Sequence, residues 1–127
     1  MARAARKEIT LHTSAAALIR ATWPRHLPWT HFPAGEHRDA RTGARPIALS
    51  LAPGWPDFLF VMPNGKLAGM ELKFGAGELS AEQIDVRQAM LACKCGYAVC
   101  RSLDEVEATL SKWLALFGLS LRGRIAA

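Results

Sequence analysis

Two carboxylates and an ammonium group, on Asp57, Glu71 and Lys73, are the side chains whose types and spacing could do chemistry. Because side chains alternate along a β-strand, Glu71 and Lys73 share one face of a strand and Leu72 points to the other. Asp57 precedes the run Phe58–Met62, which is apolar on both faces, as in a strand that is covered on both sides. Charges at the end of such a strand are costly unless they serve a site. The pattern predicts a charged functional site, with a structural ion-pair cluster as the alternative.

The turn between the two strands decides whether the carboxylates meet. Pro, Asn and Gly at Pro63–Gly65 suit the successive positions of a three-residue loop that is closed by a glycine bulge. Such a loop pairs Met62 with Lys66, and equal steps outward place Asp57 opposite Glu71. A two-residue Asn-Gly loop would shift the register by one and turn Asp57 to the wrong face. The predicted site therefore requires the odd-length loop.

Composition and charge indicate one globular domain with a basic first half. The chain has 127 residues, 50% hydrophobic and 21% charged, and its net charge is +5. Residues 1–56 hold eight Lys or Arg against three acids, whereas residues 57–127 hold eight of each sign. A basic half beside an acidic site suits a ligand with a phosphate backbone, although a solvated basic surface would have the same composition.

The sequence does not favour a membrane protein, a secreted protein or a disulfide-stabilised protein. No apolar run approaches the roughly 20 residues of a membrane span, and the first seven residues lack the apolar core of a signal peptide. The three cysteines, Cys93, Cys95 and Cys100, have neither redox-pair nor zinc-knuckle spacing, so packed, reduced thiols are expected. A cytoplasmic protein is predicted.

Outside the hairpin, the pattern predicts three helices and two further strands. These elements are expected at Lys7–Thr22, Trp29–Phe32, Ala81–Cys95, Tyr97–Arg101 and a last helix that opens at Ser102. A proline stops the first helix, although the alternation over 8–13 also permits a short strand. Ser80–Gln83 and Ser102–Glu105 read as capping boxes. Gly96 and Gly118 are expected to follow the ends of the second and third helices.

The long segment between Pro33 and Pro53 is rich in Gly, Ala and Arg. Loops of this length are usually functional or mobile. Arg38, Arg41 and Arg45 are therefore candidate contacts to phosphate groups, or residues of an ordinary surface loop. A short helical stretch is allowed near 47–51.

Structural explanations compete with site roles for four further side chains, Glu8, His12, Gln83 and Trp55. If the first helix includes Glu8, this residue shares a face with His12 and Ile19, so it could look toward the hairpin end or simply face the helix dipole. His12 is expected to be a surface residue. Gln83 is explained as the third residue of its helix. Trp55 could stack on a base, but core packing is favoured for it and for the other tryptophans.

The order helix, strand, strand, strand, helix, strand, helix resembles that of the PD-(D/E)xK nuclease superfamily. The segments PGWPDFLFV, GKLAGMELKFGAGELSAEQ and GYAVCRSLDEV are similar to its VRR-NUC branch, the virus-type replication and repair nucleases. Each motif is short, but their joint order and spacing are specific, and the resemblance covers roughly Glu8 to Trp113. It implies a single α/β domain over residues 1–127, with a restriction-endonuclease-like core in which helices cover both faces of a mixed central sheet.

The resemblance implies roles for individual residues. Asp57 matches the aspartate of the family's Pro-Asp motif, and Glu71 and Lys73 match its ExK motif. Gln83 matches the glutamine on the following helix. Glu8 lies where the family places an acid on its first helix.

The chain departs from the family pattern at two loop positions. Ala34 stands where family members often carry Asn, and Ala52 stands where a basic residue is common. These departures weaken the expected loop contacts to nucleic acid and leave the metal site intact.

A site of this kind implies Mg²⁺ or Mn²⁺, which prefer oxygen ligands. The suitable ligands are three carboxylates and one backbone carbonyl: Asp57, Glu71, Glu8 and Leu72. The metal would polarise the scissile phosphate and lower the pKa of its bound water. Lys73 would orient that water, help to deprotonate it or stabilise charge on the phosphorane. Gln83 could hold the water if its side chain is free to turn outward.

The function implied is that of a metal-dependent DNA endonuclease in DNA repair. Small single-domain members of the family favour branched DNA such as Holliday junctions, and cutting at two sites implies a homodimer. The expected setting is the cytoplasm of a bacterial or phage-infected cell. The alternatives are a non-catalytic nucleic-acid-binding module on the same scaffold and an RNA-processing nuclease.

Overall fold

The computed structural model of the chain describes residues 3–32 and 52–123. Within these ranges the chain is mixed α/β, with three helices and a four-stranded sheet. In chain order the elements are α1 Arg3–Thr22, β1 Trp29–His31, β2 Phe58–Val61, β3 Leu67–Leu72, α2 Ala81–Ala92, β4 Gly96–Cys100 and α3 Leu103–Ala115. The sheet order is β1-β2-β3-β4; the first two pairings are antiparallel and the last is parallel. No helix in the described part is long and apolar enough to cross a membrane.

The hairpin between β2 and β3 has the predicted odd-length loop. Met62 N–H donates to the Lys66 carbonyl at 2.8 Å, and Gly65 N–H donates to the Met62 carbonyl at 2.8 Å. Gly65 has φ 85°, a left-handed conformation that glycine adopts without strain. The ladder continues from this closure to Phe58 opposite Met70. One more step of the same register places Asp57 across from Glu71, which confirms the register prediction.

The apolar core lies between the sheet and the pair α1 and α3. Fully buried side chains from both strands of the hairpin and from both helices form it: Phe58, Phe60, Met70, Leu72, Ile19, Trp23, Leu110 and Leu114. Each such side chain contributes roughly 1.5–3 kcal/mol when it leaves water. Because side chains alternate along β3, Gly69 and Glu71 point to the opposite face. There Gly69 lies against Met90 of α2, so helices cover both faces of the sheet.

Two helix boundaries differ from the sequence predictions. α1 begins at Arg3 and therefore includes 8–13, which excludes the strand alternative for that stretch. α2 ends at Ala92, where Cys95 was predicted. Lys94, with φ 68°, adopts the left-handed conformation that is usual for a glycine after a helix end. Gly96 instead opens β4, and a Cβ there would lie 3.1 Å from the Cβ of Ala68. Close strand packing, and not helix termination, explains that glycine.

The first capping box is complete and the second is not. Ser80 and Gln83 bind each other's backbone N–H groups, as predicted. At α3, Ser102 Oγ accepts from Glu105 N–H at 3.1 Å, but Glu105 Oε1 accepts from Arg101 N–H at 2.8 Å. Glu105 thus binds the N–H group of Arg101, the residue before the N-cap, whereas a capping box would use the N–H group of Ser102 itself. Gly118 follows the end of α3 with φ 70°.

The cysteines are free thiols, and only Cys100 is fully packed. Its Sγ lies 3.5 Å from Thr109 Oγ1, and burial raises the pKa of the thiol. Cys93 is exposed and Cys95 is half-buried, so the packing prediction is wrong for Cys93.

Predictions that concern residues 33–51 lie outside the described residues. They are the helical stretch near 47–51, the departure at Ala34 and the basic residues Arg38, Arg41 and Arg45.

Gly69→Ala should destabilise the fold. A Cβ at this position would lie 2.7 Å from Pro56 Cγ and 3.0 Å from Met90 Cε, so the proline ring and the end of the methionine side chain would have to move. The expected loss is about 1–3 kcal/mol in the free energy of unfolding, measured by urea denaturation. Gly77→Ala is the matched control, because its nearest neighbour would lie 3.5 Å away. An equal effect of both substitutions would contradict the close packing at Gly69.

Candidate active site

The structure brings Asp57, Glu71 and Lys73 together at the end of the hairpin. The Lys73 ammonium lies 3.7 Å from Glu71 Oε2. The charge of the nearby Asp57 carboxyl group raises the pKa of Glu71. Two carboxyl groups and a cation thus share one small volume, as the sequence predicted.

Backbone contacts on two sides fix the position of Asp57. Its Oδ2 accepts from Leu72 N–H at 2.7 Å, which ties the side chain to β3. Its carbonyl accepts from Phe32 N–H, which ties the backbone to the chain that leaves β1. Gly54 lies so close to the Glu82 carbonyl in the first turn of α2 that only glycine fits there. The segment before Asp57 is therefore held between β1, β3 and α2.

Glu71 is a buried acid whose hydrogen bonding is incomplete. It is only 3% exposed, and Oε1 has no hydrogen-bond partner. Burial and then the nearby Asp57 carboxylate raise the pKa of Glu71 to about 8, while Lys73 opposes the shift. A buried carboxylate that faces another carboxylate is costly to ionise. A cation between the two groups would remove most of that cost.

Gln83 performs a capping role and a site role at the same time. Its Oε1 accepts from Ser80 N–H at 2.8 Å and completes the helix cap. Its Nε2 donates to Glu71 Oε2 at 3.0 Å. The two ends of one amide therefore serve the two functions, and the side chain does not need to turn outward. Gln83 links the start of α2 to the acid of the site.

His12 belongs to the site, and its expected surface position is wrong. The residue is 4% exposed, and its Nε2 lies 3.9 Å from Asp57 Oδ2. Its Nδ1 lies 3.4 Å from His31 Nε2, and the His31 ring stacks on Phe58 with centroids 4.4 Å apart. Helical periodicity could have found this residue, because His12 lies three residues before the buried Ala15 on the same face.

Tyr97 is a second neighbour that the sequence did not indicate. It stands beside Gly69 in the parallel ladder, and its hydroxyl oxygen is buried without a hydrogen-bond partner. Burial and then the charge of Glu71 raise the pKa of Tyr97 to about 12. In the sequence this tyrosine reads as an ordinary residue of an apolar strand, so no local signal marked it.

The other predicted site residues make no described contact with the cluster or lie outside the described residues. Glu8 is exposed, one helical turn before His12, and within the described part of the chain it makes no ion pair or hydrogen bond with the cluster. Arg38, Arg41 and Arg45 fall in the segment 33–51.

The tryptophans divide by environment. Trp23 and Trp113 pack in the core as expected, and Trp29 packs partly against it. Trp55, two residues before Asp57, is 37% exposed, so core packing is wrong for this residue.

The donor set suits a hard divalent cation. Mg²⁺ is held in proteins by one or two carboxylates together with water and substrate oxygens. Asp57 and Glu71 provide two carboxylates, and Glu71 Oε1 is a buried oxygen without a partner. In the ranges 3–32 and 52–123, no three His, Cys, Asp or Glu side chains form a complete metal cage. The carboxylate pair of Asp57 and Glu71 is thus a donor set that suits such an ion.

The metal-free protein should lose stability as the pH rises from about 5 to 8. The pKa of Glu71 is raised from 4.5 to about 8 on folding, so over this range the folded state keeps a proton that the unfolded chain has released. The contribution of Glu71 to the free energy of unfolding is fully present below pH 4.5 and is lost as the pH rises to 8. The expected decrease is on the order of 2–4 kcal/mol. Chemical denaturation in EDTA at several pH values, with Glu71→Gln as the reference, measures it.

Glu71→Gln cannot ionise, so its unfolding free energy should lack this part of the pH dependence. Parallel pH profiles for the two proteins would contradict a raised pKa at Glu71. Dilute Mn²⁺ should restore wild-type stability at pH 8 and should have less effect on Glu71→Gln.

Comparison with known proteins supplies no relative for this chain. No family model, curated protein or solved structure matches it significantly. The site is therefore described from its own residues.

Proposed function

We propose that this chain is a metal-dependent nuclease of the PD-(D/E)xK type that hydrolyses phosphodiester bonds in DNA. The observation that carries the proposal is the state of Glu71, a buried acid with an unpartnered oxygen, a facing carboxyl group and a lysine 3.7 Å away. An ion-pair cluster that only stabilised the fold would pair Glu71 fully. In this chain one oxygen of Glu71 has no protein partner, which supports a ligand-binding role for it.

Asp57, Glu71 and the backbone carbonyl of Leu72 would hold Mg²⁺ or Mn²⁺. When bound, the metal supplies a polarised phosphate and a water of lowered pKa. Hydrolysis forms a bond from the water oxygen to phosphorus and breaks the bond from phosphorus to the leaving alcohol, which takes up a proton. Lys73 is placed beside Glu71 to orient the water and to stabilise the charge that builds on the phosphorane.

The surrounding residues position these groups. Gln83 donates to Glu71 Oε2 and so fixes the carboxyl group from α2. His12 lies beside Asp57 on the α1 side and is supported by His31. Asp57 is thus contacted from α1 and Glu71 from α2. These contacts limit the movement of the two carboxyl groups toward each other.

The architecture supports the proposed family. A mixed sheet with helices on both faces, and an acidic pair at the end of a central hairpin, is the arrangement expected of a restriction-endonuclease-like core. The excess of basic residues in 1–56 suits a polyanion. Branched DNA such as a Holliday junction is the proposed substrate, cut by a homodimer because one chain carries one site.

Purified protein with Mg²⁺ or Mn²⁺ should nick DNA, tested on a panel of linear, flapped and four-way-junction substrates with matched RNA strands. Asp57→Asn and Lys73→Ala should each lower the rate by about 10²-fold or more, because each removes a group that acts on the charge of the transition state. Lys112→Ala, on the exposed surface of α3, is the control for loss of one positive charge.

Three outcomes would contradict the proposal in different ways. Normal metal binding without cleavage of any substrate would leave a non-catalytic binding module. Faster cleavage of RNA than of matched DNA would reassign the substrate. Cleavage that is unchanged in Lys73→Ala would leave the fold assignment intact and remove the role given to Lys73.

Gln83→Ala should weaken Mn²⁺ binding by about 10-fold, because residues that orient metal ligands typically contribute this much to affinity. Isothermal titration calorimetry gives the dissociation constant. Ser80→Ala removes the cap's acceptor for Gln83 N–H but leaves the amide free to reach Glu71, so it should change stability and not metal affinity. Equal losses of Mn²⁺ affinity in both variants would show that Gln83 acts only through its helix cap.

A further inference from the structure

A second cavity, with an apolar lining and a basic rim, lies at the turn end of the β2–β3 hairpin. It opens where the hairpin loop, the turn after α2, the start of β4 and the last turn of α3 meet, and its volume is about 360 Å³. Leu67 begins β3 at this end, and Glu71 follows roughly 13 Å farther along the strand. The described residues that line the cavity do not include Asp57, Glu71, Lys73 or Gln83. The cavity is therefore separate from the candidate active site.

Apolar side chains form both the buried and the exposed parts of the lining. The buried part is the edge of the main core, with Met62 and Trp113. The exposed part consists of Leu67, Leu91 and Leu116, which are 36%, 48% and 75% exposed. Grouped apolar side chains with a polar rim are typical of interaction surfaces. A partner that covered these leucines would gain the free energy of removing them from water.

Three lysines line the same cavity, and no acid is among the described residues that line it. Lys66, Lys94 and Lys112 are all exposed. Lys66 Nζ donates to the Cys93 carbonyl at 3.4 Å, which offsets the partial negative charge at the end of α2. Among the described side chains, neither Lys94 nor Lys112 forms an ion pair. Two ammonium groups are thus available to an anionic partner.

Lys94 occupies a backbone position that favours glycine. Its φ of 68° is left-handed, and a side chain there costs free energy that glycine avoids. Backbone hydrogen bonds fix the turn, since Lys94 N–H donates to the Leu91 carbonyl at 3.0 Å and Cys95 N–H donates to the Met90 carbonyl at 2.9 Å. A long cationic side chain at a strained position indicates a role for that side chain.

We propose that this cavity is a docking site for an acidic peptide segment of a partner protein. An apolar side chain of the segment enters the cavity between the leucines, and flanking carboxylates pair with Lys94 and Lys112. This occupant uses both parts of the surface. An uncharged apolar peptide would leave the two ammonium groups without counter-charges, and a nucleic-acid backbone would leave the leucines in water. The docking site goes beyond the proposed nuclease function and does not depend on it.

Fluorescence anisotropy on the full chain tests the site with a labelled synthetic peptide in which Leu-Phe is flanked on each side by two acidic residues. This peptide should bind, and its affinity should fall as NaCl is added. Replacement of its acids by Asn and Gln, or of Leu-Phe by Ala-Ala, should weaken binding by about 10-fold, because the charges or the apolar anchor are lost. No binding of the acidic apolar peptide at up to about 1 mM would overturn the proposal.

Three substitutions locate the binding on the chain. Lys112→Ala and Leu116→Ala should each weaken peptide binding by about 5-fold, since both side chains are exposed at the cavity. Lys94→Gly should weaken it to the same extent and should also raise the urea midpoint of unfolding, because glycine adopts this φ without strain. A loss of affinity together with a gain in stability separates a binding role from an effect on folding.

Two substitutions on α1 are the matched controls. Lys7→Ala removes a positive charge, and Ile9→Ala removes an apolar side chain that is 47% exposed, as Leu91 is to a similar extent. Neither residue lines the cavity, so both variants should bind the peptide as wild type does. Equal losses of affinity in the control and cavity variants, or unchanged affinity in Lys94→Gly and Leu116→Ala, would overturn the proposal.

Two other occupants would also overturn it. Binding of a labelled oligonucleotide that depends on Lys94 and Lys112, in a protein that does not bind the peptide, would assign the surface to nucleic acid. Dimerisation that is lost in Leu116→Ala, again without peptide binding, would assign the cavity to a second copy of the chain; light scattering gives this result. DNA nicking by Leu116→Ala should equal that of wild type, so the nuclease and the docking site can fail separately.

Discussion

The carboxyl group of Glu71 is buried at a place where the protein supplies only part of what an ionised carboxylate requires. One oxygen receives an amide N–H from Gln83 and lies near the Lys73 ammonium, while the other has no partner. Desolvation and the facing Asp57 make the neutral acid the favoured form up to about pH 8. The fold tolerates this cost because Glu71 extends from a strand whose other face lies in the main apolar core. The buried acid therefore lowers the stability of the fold locally, and the apolar core on the other face of the strand compensates for it.

The elements around the hairpin each fix one part of this arrangement. The three-residue loop sets the register that places Asp57 across from Glu71. The parallel pairing of β3 with β4 requires a crossover, and the crossover helix α2 brings Gln83 to the carboxyl group. On the other side of the sheet, α1 brings His12 to Asp57. The acid pair, its two supports and the lysine therefore come from separated parts of the chain, and the sheet order brings them together.

The sequence predicted the site most reliably where local rules apply. Turn chemistry at Pro63–Gly65 gave the correct register, and the first capping box placed Gln83 correctly at the start of its helix. Local rules did not predict the features that depend on burial in the folded chain. His12 was expected at the surface although its spacing from Ala15 placed it on the buried face, and nothing local marked Tyr97 as a neighbour of the acids. The sequence predicts a helix terminator at Gly96, because the close approach of Ala68 across the sheet is not visible in the residues around it.

The sequence by itself determined the hairpin, its odd loop, the acid pair and the lysine, because these follow from side-chain alternation and turn preferences over a few residues. Only the tertiary structure decided that Glu71 keeps an unpartnered oxygen, that one amide of Gln83 both caps a helix and binds the acid, and that His12 lies beside Asp57. It also brought three lysines to the rim of an apolar cavity at the turn end of the hairpin. Those features depend on which surfaces lose water when helices pack on the two faces of the sheet, and desolvation is a property of the assembled chain.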